Sequence, residues 1–211
     1  MDAEFWHERW NMGQIGFHQA DYNALMLAHF GALALEPGAR VFVPLCGKSR
    51  DIGWLLSQGH EVVASELSAL AIDQLFEELG VAPSIKAVGP LQHYTSEGLS
   101  IFVGDVFEIT ATHLGSIHAV YDRAALVALP PDIRARYAAH LAAITGAAPQ
   151  FLLTFEYDQS VMEGPPFSVD QMEITRVYGA HYALSRLARA DVGGGGLKGV
   201  CPAVEVAWHL R

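Results

Sequence analysis

Cysteine is scarce in this 211-residue chain: Cys46 and Cys201 are the only two. Two thiols make no disulfide framework, and each reads as a small buried hydrophobe. Positive charge is also scarce. Thirteen Lys and Arg stand against 23 Asp and Glu, for a formal charge of −10. That balance excludes a nucleic-acid backbone or an anionic membrane surface as the main partner. No uninterrupted apolar run approaches the roughly 18 residues that span a bilayer. The opening, Met1-Asp-Ala-Glu-Phe-Trp-His-Glu-Arg-Trp10, lacks the basic and apolar regions of a signal peptide. Internal repeats and long linkers are missing. None of the ten histidines stands in a metal-binding spacing, and His113 and His118 straddle Gly115. No metal is therefore assigned. What remains is a protein expected to be cytoplasmic and monomeric, with a small molecule as partner. Charged residues are only 17% of the chain and apolar ones 51%, enough to bury a large core in one domain.

The apolar residues fall into alternating periods. Phe5, Trp6, Trp10 and Met12 among charges give an amphipathic helix over residues 2–12, closed by Gly13. A second helical pattern runs from Asn23 to Leu35. Together, residues 1–38 form a helical extension before the first strand, a candidate lid. Val41–Leu45 is a short buried strand. It ends in a tight turn at Cys46-Gly47, and Asp51-Ile-Gly-Trp-Leu-Leu opens a helix to Gln58. Glu61–Ser65 is the second strand, with Glu66 at its end. A helix then reaches Leu79, with Ser68 as N-cap and Gly80 as stop. Residues 81–98 are turn-rich, with a short edge strand near Ile85–Val88. Further strands are expected at Leu99–Val103, Ile117–Tyr121 and Phe151–Tyr157. Helices are expected after Pro130-Pro131 and over Asp170–Tyr178. Tyr182–Arg189 and Ala203–Leu210 read as two closing antiparallel strands joined across Gly193–Gly196.

Strand alternating with helix implies a parallel sheet covered on both faces. Ligands bind such sheets beyond the carboxyl ends of the strands, at a switch point. Here those ends carry Leu45-Cys46-Gly47, Glu66, Asp105 and Asp122-Arg123. Free N–H groups at the first turn suit an anionic ligand group, and Gly47 lets backbone approach without a Cβ. Glu66 lies 19 positions after Gly47, where doubly wound folds hold a ribose; a carboxylate accepts from both hydroxyls. Asp105 suits an adenine amino group or the N-cap of a short helix, and Val106 suits packing on the ring. The site therefore reads as an adenosine site. A dinucleotide favours Gly-x-Gly-x-x-Gly at the first turn, and this turn has one glycine. S-adenosylmethionine carries no pyrophosphate and fits better. A class I methyltransferase thus leads, with a nucleotide-dependent oxidoreductase or a non-catalytic binding protein as alternatives.

A resemblance narrows this. Trp6-x-x-x-Trp10, Gly16-Phe17-His18-Gln19, Val43-Pro-Leu-Cys-Gly-Lys-Ser49, Gly59-His-Glu-Val, Glu66-Leu-Ser, Tyr121-Asp-Arg-Ala-Ala-Leu-Val-Ala-Leu129 and Gly164-Pro-Pro-Phe167 together resemble the thiopurine S-methyltransferase family, in particular its bacterial branch. The resemblance spans about residues 4–178. It implies a Rossmann-like α/β fold with a seven-stranded, mostly parallel sheet and helices on both faces. It implies S-adenosylmethionine as methyl donor and a thiopurine sulfur as acceptor. By position it assigns the donor to Trp10, Leu45, Glu66, Asp105, Val106 and Arg123. Phe17 would face the acceptor. Bacterial relatives are also associated with selenium or tellurium oxyanions as acceptors. The C-terminal stretch Ala190–Pro202 departs from the pattern, with Lys198 standing where the family has a basic residue near the acceptor. Arg123 and Asp122 are the catalytic candidates: Arg123 favours an anionic sulfur or orients the ring, and Asp122 orients Arg123 or accepts a proton. His18 is a candidate base or gate beside the acceptor.

Overall fold

A computed structural model describes residues 3–16, 18, 19 and 21–211. Along the chain, α1 (Ala3–Asn11) and α2 (Ala24–His29) precede β1 (Arg40–Val43). Then follow α3 (Asp51–Ser57), β2 (Glu61–Glu66), α4 (Ala69–Leu79), β3 (Ser84–Val88), β4 (Leu91–Ser96) and β5 (Leu99–Val103). The second half comprises α5 (Ala111–Leu114), β6 (Ala119–Asp122), α6 (Pro131–Thr145), β7 (Gln150–Tyr157), α7 (Gln171–Tyr178), β8 (Leu184–Asp191) and β9 (Ala203–Leu210).

The strands form one sheet in the order β3-β4-β5-β2-β1-β6-β7-β9-β8. Its five central strands, β5 to β7, are mutually parallel. β9 runs antiparallel between β7 and β8. Nine strands replace the expected seven. The two extra ones are the hairpin β3–β4, which adds antiparallel to β5. Only β3 was expected, as an edge strand. β4 was hidden because Leu91-Gln-His-Tyr-Thr-Ser buries just Leu91 and Tyr94, three positions apart, and shows no two-residue period.

Alternation along the central strands builds two cores. Val41, Val43, Val62, Ala64, Ala119, Tyr121 and Phe151 pack with Met26 of α2, Ile52 and Leu55 of α3, and Ile72 and Leu75 of α4. Phe42, Val63, Val120 and Leu152 face the other way, onto Tyr137 and Leu141 of α6 and Ile174 and Tyr178 of α7. Successive side chains on a strand point to opposite faces, so a single apolar run supplies both cores. The caps follow the expectations. Ser68 accepts from the Ala71 N–H at 3.4 Å, and Gly80 closes α4 in the left-handed conformation. Pro131 sits in the first turn of α6. The expected helix from Asn23 to Leu35 divides: α2 gives way to a 3-10 turn over Phe30–Leu33, which ends at Ala34 with φ 48°.

β1 lies between β2 and β6, and the chain leaves it in one direction to β2 and later returns on the other side to β6. This reversal opens a crevice at the carboxyl ends of β1, β2 and β6.

Candidate active site

Two residues at that crevice hold backbone that L side chains rarely adopt. Leu45, just after β1, has φ 47°, and Ala124, just after β6, has φ 58°. Strain of this kind, of order 1–3 kcal/mol, persists where surrounding structure enforces it, and it clusters at functional sites. At the first turn the enforcement is visible. The Leu45 N–H donates to Ser65 Oγ (3.2 Å) and the Gly47 N–H to Glu66 Oε2 (2.8 Å). The Cys46 N–H donates to the Ser65 carbonyl at 2.8 Å. Gly47 itself has φ 52°.

These bonds correct one expectation. The N–H groups of Leu45, Cys46 and Gly47 are not free for a ligand anion: the first two are taken by Ser65 and the third by the carboxylate of Glu66. Its other oxygen accepts the Ser68 N–H at 2.9 Å. Glu66 is 6% exposed. Burial raises its carboxyl above the ordinary value, opposed by the N–H groups of Ser68, Gly47 and Leu67 and by nearby His7. His7 belongs to α1, which packs over α4 beside this strand end with Trp10 buried beneath it. Asp105, at the end of β5, is exposed and caps the 3-10 turn Val106–Glu108 by accepting the Phe107 N–H at 3.0 Å. Val106 beside it is buried. The capping reading of Asp105 is thus correct, and Oδ2 has no hydrogen-bond partner among the described residues.

The second half of the site is organised by Asp51, the first residue of α3, where the sequence places a helix start. It is 1% exposed. One oxygen accepts the Asn23 N–H (2.9 Å); the other accepts the Tyr121 hydroxyl (2.8 Å) and Nη1 of Arg123 (3.1 Å). Arg123 Nη1 also reaches Ser49 Oγ at 3.3 Å. The Asn23 side chain continues the chain of bonds to Glu205 Oε1 of β9, at 3.0 Å. The carboxylate of Asp51 thereby ties the start of α2, the end of β6 and Arg123 together, and Asn23 extends the link to β9.

Asp122 does not orient Arg123. Strand alternation turns its side chain to the opposite face, where it accepts the Leu126 N–H (3.0 Å) and the Tyr137 hydroxyl (2.7 Å). It is fully buried. Burial raises its carboxyl from the ordinary 3.8 to about 6, against the pull of those two donors. A raised carboxyl binds its proton more tightly folded than unfolded. Asp122 therefore lowers stability as pH rises through the interval from 3.8 to about 6. A gap of that size corresponds to about 3 kcal/mol. Asp122→Asn keeps an acceptor for Leu126 and cannot ionise. The stability of the wild type relative to this variant is expected to fall between pH 4 and pH 7 by up to about 3 kcal/mol, read from urea midpoints of both proteins at each pH. Parallel curves would contradict it.

His18 is half-buried. Burial and the cations Lys48, Arg50 and Arg123 lower its pKa, and Glu78 opposes them. The shift disfavours the charged imidazolium of His18. Lys48 is tied to Glu78 at 2.7 Å. Phe17 lies outside the described residues. Lys198 is exposed in the β8–β9 connection and makes no ion pair among the described residues.

Over residues 1–200 the chain matches the family described as Thiopurine S-methyltransferase (TPMT). It belongs to that family. A relative named thiopurine S-methyltransferase in Xanthobacter autotrophicus is 53% identical over 212 residues, covering 100% of this chain and 99% of its own. One of the same name in Gluconobacter oxydans is 47% identical, covering 99% and 94%. The fold is also that of known methyltransferases. The 1,6-didemethyltoxoflavin-N1-methyltransferase of Burkholderia thailandensis aligns with a TM-score of 0.64 at 18% identity, over 99% of this chain and 87% of its own. The magnesium protoporphyrin IX methyltransferase of Synechocystis, solved with S-adenosylmethionine, aligns at 0.62 and 13% identity, over 100% and 98%. As a member of the thiopurine S-methyltransferase family, the protein is an S-adenosylmethionine-dependent methyltransferase with the class I fold. The dinucleotide reading has no support left. The residues at the crevice fit the donor: an acid at the end of β2, an acid with an open oxygen at the end of β5, a buried valine beside it, and a glycine turn without a Cβ. No helix among the described residues is long and apolar enough to cross a membrane.

Proposed function

We propose that this protein transfers the methyl group of S-adenosylmethionine to the sulfur of a thiopurine or a related aromatic thiol. The observation that carries the reading is the strained Leu45–Gly47 turn clasped to Glu66, with Arg123 fixed on Asp51 across the same crevice. Glu66 receives the ribose hydroxyls; its oxygens accept the Gly47 and Ser68 N–H groups and keep lone pairs for a further donor. Asp105 and Val106 hold the adenine. Leu45, Gly47 and Trp10 enclose the methionine arm, and residues 1–38 form a lid on a single domain spanning 1–211. When bound, the donor supplies a sulfonium whose methyl is already electrophilic.

The chain's own residues then have three tasks. They align the acceptor sulfur with the methyl, which is worth roughly 7–11 kcal/mol when orientation is complete. They exclude water, the work of Trp10, Phe17 and the N-terminal segment. They also settle the acceptor's proton. Arg123 favours the thiolate electrostatically, and His18 accepts a proton or gates the acceptor. Asp122 acts by holding the turn that carries Arg123, through Leu126 and Tyr137, rather than by touching substrate. The protein works as a monomer in the cytoplasm.

The cations around His18 also suit a small anionic acceptor, so selenite and tellurite belong in the same test. Transfer of labelled methyl is measured to 6-mercaptopurine, an aromatic thiol, selenite and tellurite. The thiopurine or aromatic thiol is expected to be labelled with the highest kcat/KM. Labelling of the oxyanions alone would replace the thiol reading with the oxyanion one. No transfer to any of the four would overturn both.

A further inference from the structure

Glu205 enters the site from the far end of the chain, and the transfer chemistry above makes no use of it. It stands on β9 opposite Phe155 of β7 and Ala190 of β8. Its parity is that of Ala207, on the face covered by α2. Burial raises its carboxyl; Asn23 and Arg123 lower it, and Asp51 raises it further. Those are the groups that face it: one amide, one guanidinium and one second carboxylate. Arg123 bonds Asp51 directly, and Glu205 is joined to that pair through Asn23. Its amide donates to Glu205, its backbone N–H donates to Asp51, and its side-chain oxygen accepts the Met26 N–H at 3.0 Å as the cap of α2.

We propose that Glu205 and Asn23 are positioning residues for Arg123: the run Glu205–Asn23–Asp51–Arg123 fixes the guanidinium and fastens the start of α2, within the N-terminal lid, to the same point. The proposal rests on the reading that Arg123 faces the acceptor. Its physical basis is that Asp51 has two rotatable bonds and three partners. With the Asn23 N–H held in place by the Glu205 clasp, one Asp51 oxygen is pinned, and the other can offer Arg123 a single direction. Without the clasp, the start of α2 loosens and Asp51 with it.

The test uses the full chain with 6-mercaptopurine as acceptor. Asn23→Ser keeps the helix cap but cannot reach Glu205. Glu205→Ala removes the acceptor, and Glu205→Gln restores an acceptor oxygen without the charge. Expected are a 10- to 30-fold fall in kcat for Asn23→Ser and for Glu205→Ala, with the donor dissociation constant within about threefold of wild type by calorimetry. Glu205→Gln should recover most of the loss. The double variant N23S/E205A should be no worse than either single one, because both break the same link. Hydrogen exchange over residues 21–29 should quicken about tenfold in Glu205→Ala and return toward wild type in Glu205→Gln. Unchanged kcat in both single variants, with Arg123→Ala strongly impaired, would overturn the proposal and leave the functional reading standing. So would losses that multiply in the double variant. Unchanged kcat in Arg123→Ala itself would overturn the reading on which the proposal depends.

Discussion

Glu66→Ala is expected to weaken S-adenosylmethionine binding by at least 100-fold. The carboxylate performs two tasks from one position. It accepts the Gly47 and Ser68 N–H groups, and so holds the strained turn after β1 against the end of β2. In the proposed complex it also receives the ribose hydroxyls. A hydrogen bond to a charged group contributes about 1.5–3 kcal/mol, and a buried donor left without a partner costs about 1–3 kcal/mol. Alanine therefore removes the ligand contact and releases the turn at the same time. Part of the stability loss is offset, because the variant no longer buries a carboxylate. The effect should accordingly be much larger on donor binding than on folding. Glu66→Gln separates the two tasks. It keeps one acceptor oxygen, loses one N–H partner, and should bind the donor about tenfold more weakly than wild type, short of the alanine variant. Because burial raises the Glu66 carboxyl, wild-type donor affinity should begin to fall at a higher pH than an ordinary glutamate would dictate as the solution is acidified. Titration calorimetry at several pH values checks all three expectations. A folded Glu66→Ala protein that binds the donor within threefold of wild type would remove Glu66 from the site.

The frame of this fold is legible in the sequence because its determinants are local. The apolar run Val41–Val43, the cap at Ser68 and the left-handed stop at Gly80 each depend on a few neighbouring residues, and each appears where local chemistry places it. In the hairpin β3–β4 the outer strand is legible near Ile85–Val88, whereas the inner one buries only Leu91 and Tyr94 and shows no two-residue period. The site divides along the same line. Glu66 was found from its distance to Gly47, since the helix between two adjacent parallel strands fixes that spacing. The partner of Arg123 was misassigned to Asp122 for want of one rule that the sequence does contain. Adjacent residues at a strand end face opposite layers, so the neighbour in sequence is the wrong neighbour in space. Asp51 and Glu205 carry no such signal. One resembles any acid in the first turn of a helix. The other lies 154 positions beyond Asp51 and is joined to it only through Asn23.

Asp51→Ala should therefore be among the most damaging single changes in the chain. Three donors lose their acceptor together: the Asn23 N–H, the Tyr121 hydroxyl and the Arg123 guanidinium. The ion pair is well shielded, with side-chain exposures of 11% for Arg123 and 1% for Asp51. Breaking such a pair from one side costs about 3–5 kcal/mol, mainly because the remaining charge is left uncompensated. In a protein of this size that corresponds to a melting temperature lower by about 10 °C. Activity should fall by about 100-fold in kcat with 6-mercaptopurine, while calorimetry should find the donor bound within severalfold of wild type, since Glu66 and Asp105 are untouched. The two losses have different causes, and a second substitution separates them. D51A/R123A removes the stranded charge as well, so it should recover part of the lost stability and none of the lost activity. An Asp51→Ala melting temperature within 2 °C of wild type would mean that the pair contributes little. Recovery of both stability and activity in the double variant would show that Asp51 acts on folding alone, and that Arg123 takes no part in the transfer.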